Sequence, residues 1–64
     1  SETLLAAVDA VAEAYDNLYA SFSATEDDWL AYVEVDAARL ALVEGRLDDV
    51  DVHLAEAQRR LSGL

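Results

Sequence analysis

Along the first third of the chain the large apolar residues Leu4, Val8, Val11, Tyr15, Leu18 and Phe22 recur at alternating spacings of four and three. That rhythm is a heptad seam and predicts an amphipathic helix over about residues 3–22. Opposite the seam stand Glu2, Asp9, Glu13 and Asp16, with no basic residue four positions on to pair with them. The seam is expected to face inward and the acids to face water. Leu5, Ala12 and Tyr19 form a second line beside the seam. That line makes the apolar face wider than one neighbouring helix covers.

The stretch Ser21-Phe22-Ser23-Ala24-Thr25 breaks the pattern with hydroxyl residues, whose side chains compete for backbone hydrogen bonds and favour caps. Thr25 followed by Glu26, Asp27 and Asp28 reads as an N-cap with three acids in the first helical turn, where the helix dipole favours negative charge. A second helix over about 26–44 follows. Its apolar positions are Trp29, Leu30, Val33, Ala37, Leu40 and Val43, with Tyr32, Val35 and Leu42 on other sides. Asp36 and Arg39 are spaced to pair on its surface.

The run Val43-Glu44-Gly45-Arg46-Leu47-Asp48-Asp49 carries a stop and a restart in order. Glycine costs about 1 kcal/mol inside a helix but little just past its end, where the left-handed conformation is needed. Asp48 then offers an N-cap, with Asp49 and Asp51 in the turn that follows. A third helix over about 48–62 shows Leu47, Val50, Leu54, Ala57, Leu61 and Leu64 at helical spacing. Glu56 and Arg60 are an i,i+4 pair in the favoured order, and Arg59 and Arg60 suit the C-terminal dipole. The expected fold is all-α, a short antiparallel three-helix bundle in one domain, completed by self-association.

Residues 31–61 also resemble one tetratricopeptide helix-turn-helix. Small Ala38 lies midway in the first helix, Gly-Arg-Leu-Asp-Asp follows at the turn, and Leu54 and Ala57 stand at the family's large and small packing positions. Glu34, Ala37, Val50 and Ser62 depart from the pattern, and no second copy stands one repeat period earlier. The resemblance implies antiparallel hairpin geometry. It does not imply the family's peptide groove, which needs several repeats.

Composition limits what such a bundle can do. A chain of 64 residues buries only about 60% of its unfolded surface, so its stability is marginal. There is no cysteine for a disulfide, and one histidine cannot make a zinc site of the usual Cys/His kind. With 55% hydrophobic residues the chain has more apolar side chain than a monomer of this size hides, and association with a second copy is the natural remedy. Proline, lysine, isoleucine and methionine are missing, and residues with GC-rich codons dominate. That bias implies a high-GC genome, haloarchaeal or actinobacterial. A formal net charge of −10 fits the halophilic alternative, in which dense carboxylates keep a protein soluble in concentrated salt.

The charge is uneven. Residues 1–38 hold nine acids and no base, while residues 39–64 hold five acids and all four arginines. Such a field opposes direct binding to nucleic acid or an anionic membrane and fits a partner protein with a basic or apolar surface. No apolar run approaches the roughly 18 residues of a membrane helix, and the N-terminal stretch lacks a basic signal-peptide region. The expected location is cytoplasmic.

Candidate sites are few. All five aromatics, Tyr15, Tyr19, Phe22, Trp29 and Tyr32, lie around the first turn, either as a plug closing the bundle end or as anchors for a partner. His53 with Asp49 and Glu56 offers one nitrogen and two carboxylates on one helix face, short of the pattern of helical metal sites. The acids at 48, 49 and 51 lack a calcium-loop pattern, and capping explains them better. No serine has a histidine placed to activate it, and no glycine-rich phosphate loop exists, so the chain reads as a non-catalytic interaction and oligomerisation module without a cofactor. Trp29, Tyr32, Tyr19 and Phe22 are its expected anchors and Asp9, Glu13 and Asp16 its charged rim. The alternatives are an acidic nucleic-acid-mimicking inhibitor of a basic protein, or a small metal-binding helical protein.

Overall fold

The computed structural model describes residues 3–62. Three helices follow one another: α1 (Leu4–Ser21), α2 (Glu26–Val43) and α3 (Leu47–Leu61). Glu2 and Leu64, counted above with the acidic face and the third seam, lie outside the described residues. An 18-residue helix is about 27 Å long. The 31 × 17 × 16 Å extents therefore leave room only for helices lying side by side. Contacts between Tyr15 and Asp36, Phe22 and Trp29, Glu34 and His53, and Asp27 and Arg60 make both sequential pairs antiparallel. Helices α1 and α3 consequently run parallel.

Each turn has an identifiable cause. Thr25 caps α2 as expected: its hydroxyl accepts from the Asp28 N–H at 3.1 Å. The Asp28 carboxylate in return accepts from the backbone N–H groups of Thr25 and, at 2.7 Å, Ser23. This capping box buries Asp28, 8% exposed, and satisfies donors that the chain reversal would otherwise strand. Those N–H donors, the Ser23 bond foremost, hold the Asp28 carboxyl below its ordinary pKa. Beside it Ala24 takes a positive φ of 58°, unusual for a residue with a Cβ.

Gly45 is a turn. Its φ is +78°, its N–H donates to the Leu42 carbonyl, and the Arg46 N–H reaches back to the Ala41 carbonyl at 2.8 Å. Together these form a Schellman motif. The chain restarts sooner than the Asp48 cap predicts. Arg46 is the N-cap residue of α3 without a side-chain capping bond, because a guanidinium has no acceptor to offer a backbone N–H; its carbonyl accepts from the Asp49 and Val50 N–H groups. Its guanidinium bridges Glu44 and Asp49 across the turn.

The core is built of small residues. One cluster holds Ala7, Val11, Ala38, Ala41 and Val50, and the other Leu18, Ala31, Val35 and Ala57. The third seam stands as expected, with Val50 and Ala57 buried and Leu47, Leu54 and Leu61 packed against the clusters. The first seam is half right: Val11 and Leu18 are buried, whereas Leu4 and Val8 are exposed and Ala7 takes a core place. The apolar stripe of α2 does not enter the core. Ala31, Val35, Ala38 and Ala41 face the core, while Trp29, Val33, Leu40 and Val43 stand outside. The physical reason is close approach: α2 is gripped by both other helices, and alanines let backbones come together where large side chains would hold them apart.

Candidate functional site

Leu4, Val8, Tyr15 and Tyr19 share one side of α1 at 100° per residue, and the Tyr15 hydroxyl donates to Asp36 Oδ1 of α2 at 2.8 Å. Asp36 lies within the α2 stripe of Trp29, Val33, Leu40 and Val43. The two stripes therefore flank one hydrogen bond and form a single face, away from α3. On it Leu4 is 60%, Tyr19 60%, Trp29 53%, Val33 59% and Val43 75% exposed. The charged groups within this face are few and balanced: Asp36 pairs with Arg39 at 3.3 Å. The Tyr15 and Arg39 donors hold the Asp36 carboxyl below its ordinary pKa, and burial, with Asp36 beside it, pushes the Tyr15 phenol up.

The four expected anchors fall at one end of this face. Phe22 meets Trp29 edge to face at 5.0 Å between ring centroids, and Trp29 leans on Tyr32 at 6.1 Å. Tyr19 instead stacks on Tyr15 at 6.0 Å. Phe22 and Tyr32 also pack against the core, so the aromatic group closes the bundle end and shows its outer rings to solvent. The expected acidic rim stands further round α1. Asp9, Glu13 and Asp16 lie roughly 60° to 120° beyond Tyr19. They are exposed, and no ion pair among the described residues includes them.

On the far side of that acidic strip α1 and α3 part to leave an open groove of about 230 Å³. Ala10, Ala14 and Glu13 form one wall, Leu54, Ala57 and Leu61 the other, and Val35 the floor. The sequence pattern gave no sign of it, because Ala10 and Ala14 look like ordinary helix filler.

His53 is engaged elsewhere. Its Nδ1 lies 2.7 Å from Glu34 Oε2 across α2 and α3, not among Asp49 and Glu56. Glu56 instead pairs with Arg59 and, at 3.4 Å, with Arg60. Among the described residues no group of three histidine, cysteine or acidic side chains is placed to hold a metal. No helix among them is long and apolar enough to cross a membrane. No family model, curated protein or solved structure matches the chain.

Proposed function

We propose that this protein is a non-catalytic interaction module that associates with itself through the outer face of α1 and α2 and scaffolds a larger assembly. The observation that carries the proposal is the set of Leu4, Val8, Tyr19, Trp29, Val33, Leu40 and Val43 left outside a small core of alanine, valine and Leu18. A monomer rarely keeps so continuous an apolar surface. Two helices about 27 Å long and 8–10 Å apart offer a ridged face on the order of the 800 Å² per partner that a stable complex buries. The face also suits a second copy electrostatically. Two chains of net charge −10 repel one another, and this face presents a paired Asp36 and Arg39 where other faces present unpaired acid.

The test is molar mass by light scattering coupled to size exclusion, at low salt and in molar potassium chloride. A dimer or larger species that strengthens with salt supports the reading, because about 1 M salt shortens the screening length to about 3 Å and removes the mutual repulsion while leaving apolar docking intact. A folded monomer under both conditions refutes self-association.

The halophilic and cytoplasmic readings belong to the same proposal and are supported by the charge and composition alone. The tetratricopeptide-like reading of residues 31–61 is supported by buried Ala38 and Ala57 on facing helices, as hairpin geometry without a peptide groove. A second reading, an inhibitor offering carboxylates as phosphate surrogates to a basic protein, is favoured by the unpaired row Asp9, Glu13 and Asp16. It requires binding that weakens steeply as salt rises.

A further inference from the structure

We propose that the groove between α1 and α3 is a docking site for a single amphipathic helix from a different, basic protein, independent of the face that joins two copies. Its walls are apolar at depth, with Ala10 and Ala14 across from Leu54 and Leu61 above Val35. The two alanines leave the α1 wall low. At about 230 Å³, and partly open to solvent, the groove is too small to enclose a drug-sized ligand. It suits the side-chain ridge of a helix laid along it, which would give the bundle a fourth member.

Charge selects the occupant. Glu13 lines the groove, and Asp9 lies roughly 40° beyond it on α1, with Asp16 nearer the Tyr19 side. Helix α1 has no base of its own. A second copy of this chain is a poor source, since its net charge is −10 and each of its four arginines, Arg39, Arg46, Arg59 and Arg60, already faces one of its own acids. The partner must therefore bring lysine or arginine along one edge of an otherwise apolar helix. Because the groove and the α1–α2 face lie on opposite flanks of α1, both can be filled at once, which makes a dimer a two-site scaffold.

The experiment titrates the isotope-labelled full chain with synthetic helical peptides and follows backbone amide resonances. One peptide carries a leucine stripe flanked by lysine, a second the same stripe flanked by glutamate, and a third the lysine composition in scrambled order. The expected result is saturable movement of Ala10, Ala14, Asn17 and Gln58 by the first peptide only. Glu13→Arg, an exposed change that leaves the core untouched, should weaken that binding about tenfold by reversing the rim charge. Ala10→Arg should abolish it, and if that variant fails to fold, Glu13→Arg decides alone. Four results would each overturn the proposal: equal binding of the glutamate or scrambled peptide, movement confined to Val33 and Leu40, no saturable binding, or groove amides that shift on dilution without peptide. The last would make the occupant a second copy.

Discussion

Helices α2 and α3 pack most extensively, and polar side chains meet across them at Glu34 with His53 and at Asp27 with Arg60, whereas α1 joins them chiefly through the apolar core, its polar link being the Tyr15 hydroxyl that donates to Asp36. The hairpin has its own turn, a Schellman motif straddled by Arg46. Helix α1 brings alanines to the core, unpaired acids to solvent and large apolar residues to the outside. The difference teaches that the polar ties lie within the hairpin, while the apolar surplus is shared: α1 leaves Leu4, Leu5, Val8 and Tyr19 exposed, and α2 leaves Trp29, Val33, Leu40 and Val43. The proposed self-association would therefore add most to the order of α1.

The largest expected effect comes from the place where the two regions meet. Leu18 is fully buried among Ala31, Val35 and Ala57, so Leu18→Ala should cost about 3 kcal/mol by the loss of buried methyl groups and the cavity left behind. Urea unfolding followed by circular dichroism measures it. A single steeper loss fits the joint core, and a change under 1 kcal/mol would mean that α1 is barely docked.

Next is Val33→Glu, which places a carboxylate in the middle of the α1–α2 face without touching the core, since Val33 is 59% exposed. Dimer dissociation should strengthen by about a hundredfold, because a charge would have to be buried unpaired. Sedimentation equilibrium reads this directly, and an unchanged mass would move the interface elsewhere. Trp29→Ala should weaken association more than Glu13→Ala on the same instrument.

Hydrogen exchange sharpens the comparison itself. At low salt and low concentration, α1 amides should exchange about tenfold faster than those of α2 and α3, and the gap should close in molar potassium chloride as copies associate. Uniform protection would put all three helices in one cooperative unit and remove the special status of α1.

The turns give a smaller effect. Gly45 sits at φ +78° with open space where a Cβ would be, so Gly45→Ala should cost about 1 kcal/mol through backbone strain alone. Ala24→Gly should act in the opposite sense by a few tenths, because Ala24 already bears that strain at φ 58°. Thermal melts resolve both.

The smallest effect is in acid. The Asp28 carboxyl is held below its ordinary pKa by the N–H donors of the capping box, so its contribution is fully present above the unfolded carboxylate value. It is lost as pH falls through the lowered folded value. Asp28→Asn should therefore flatten part of the acid limb of stability below about pH 4. An unaltered limb would show that the cap adds nothing through its charge.

Much of the fold was legible along the chain, and particular residues show why. Thr25 with Asp28 and the glycine at 45 act through backbone groups a few residues away, so local chemistry places both turns. The seam of α3 was legible because that helix is strongly two-faced, with acids and arginines opposite Val50, Leu54 and Ala57. Helix α2 was not. Apolar residues stand on most of its sides, and size alone made Trp29, Val33, Leu40 and Val43 look like core. The aromatic group at the first turn was also legible, but the separation of the anchors from Asp9 and Glu13 required knowing which flank of α1 meets α2.

What the sequence determined by itself is therefore local and compositional: three helices, their caps, the acid surplus on α1, and more apolar side chain than one small bundle can hide. The tertiary structure decided which apolar residues the core would take. From α2 it took Ala31, Val35, Ala38 and Ala41 and left Trp29, Val33, Leu40 and Val43 outside, because a helix packs closely against two neighbours only where its side chains are small, and no periodicity read along a single helix reports how near its neighbours come.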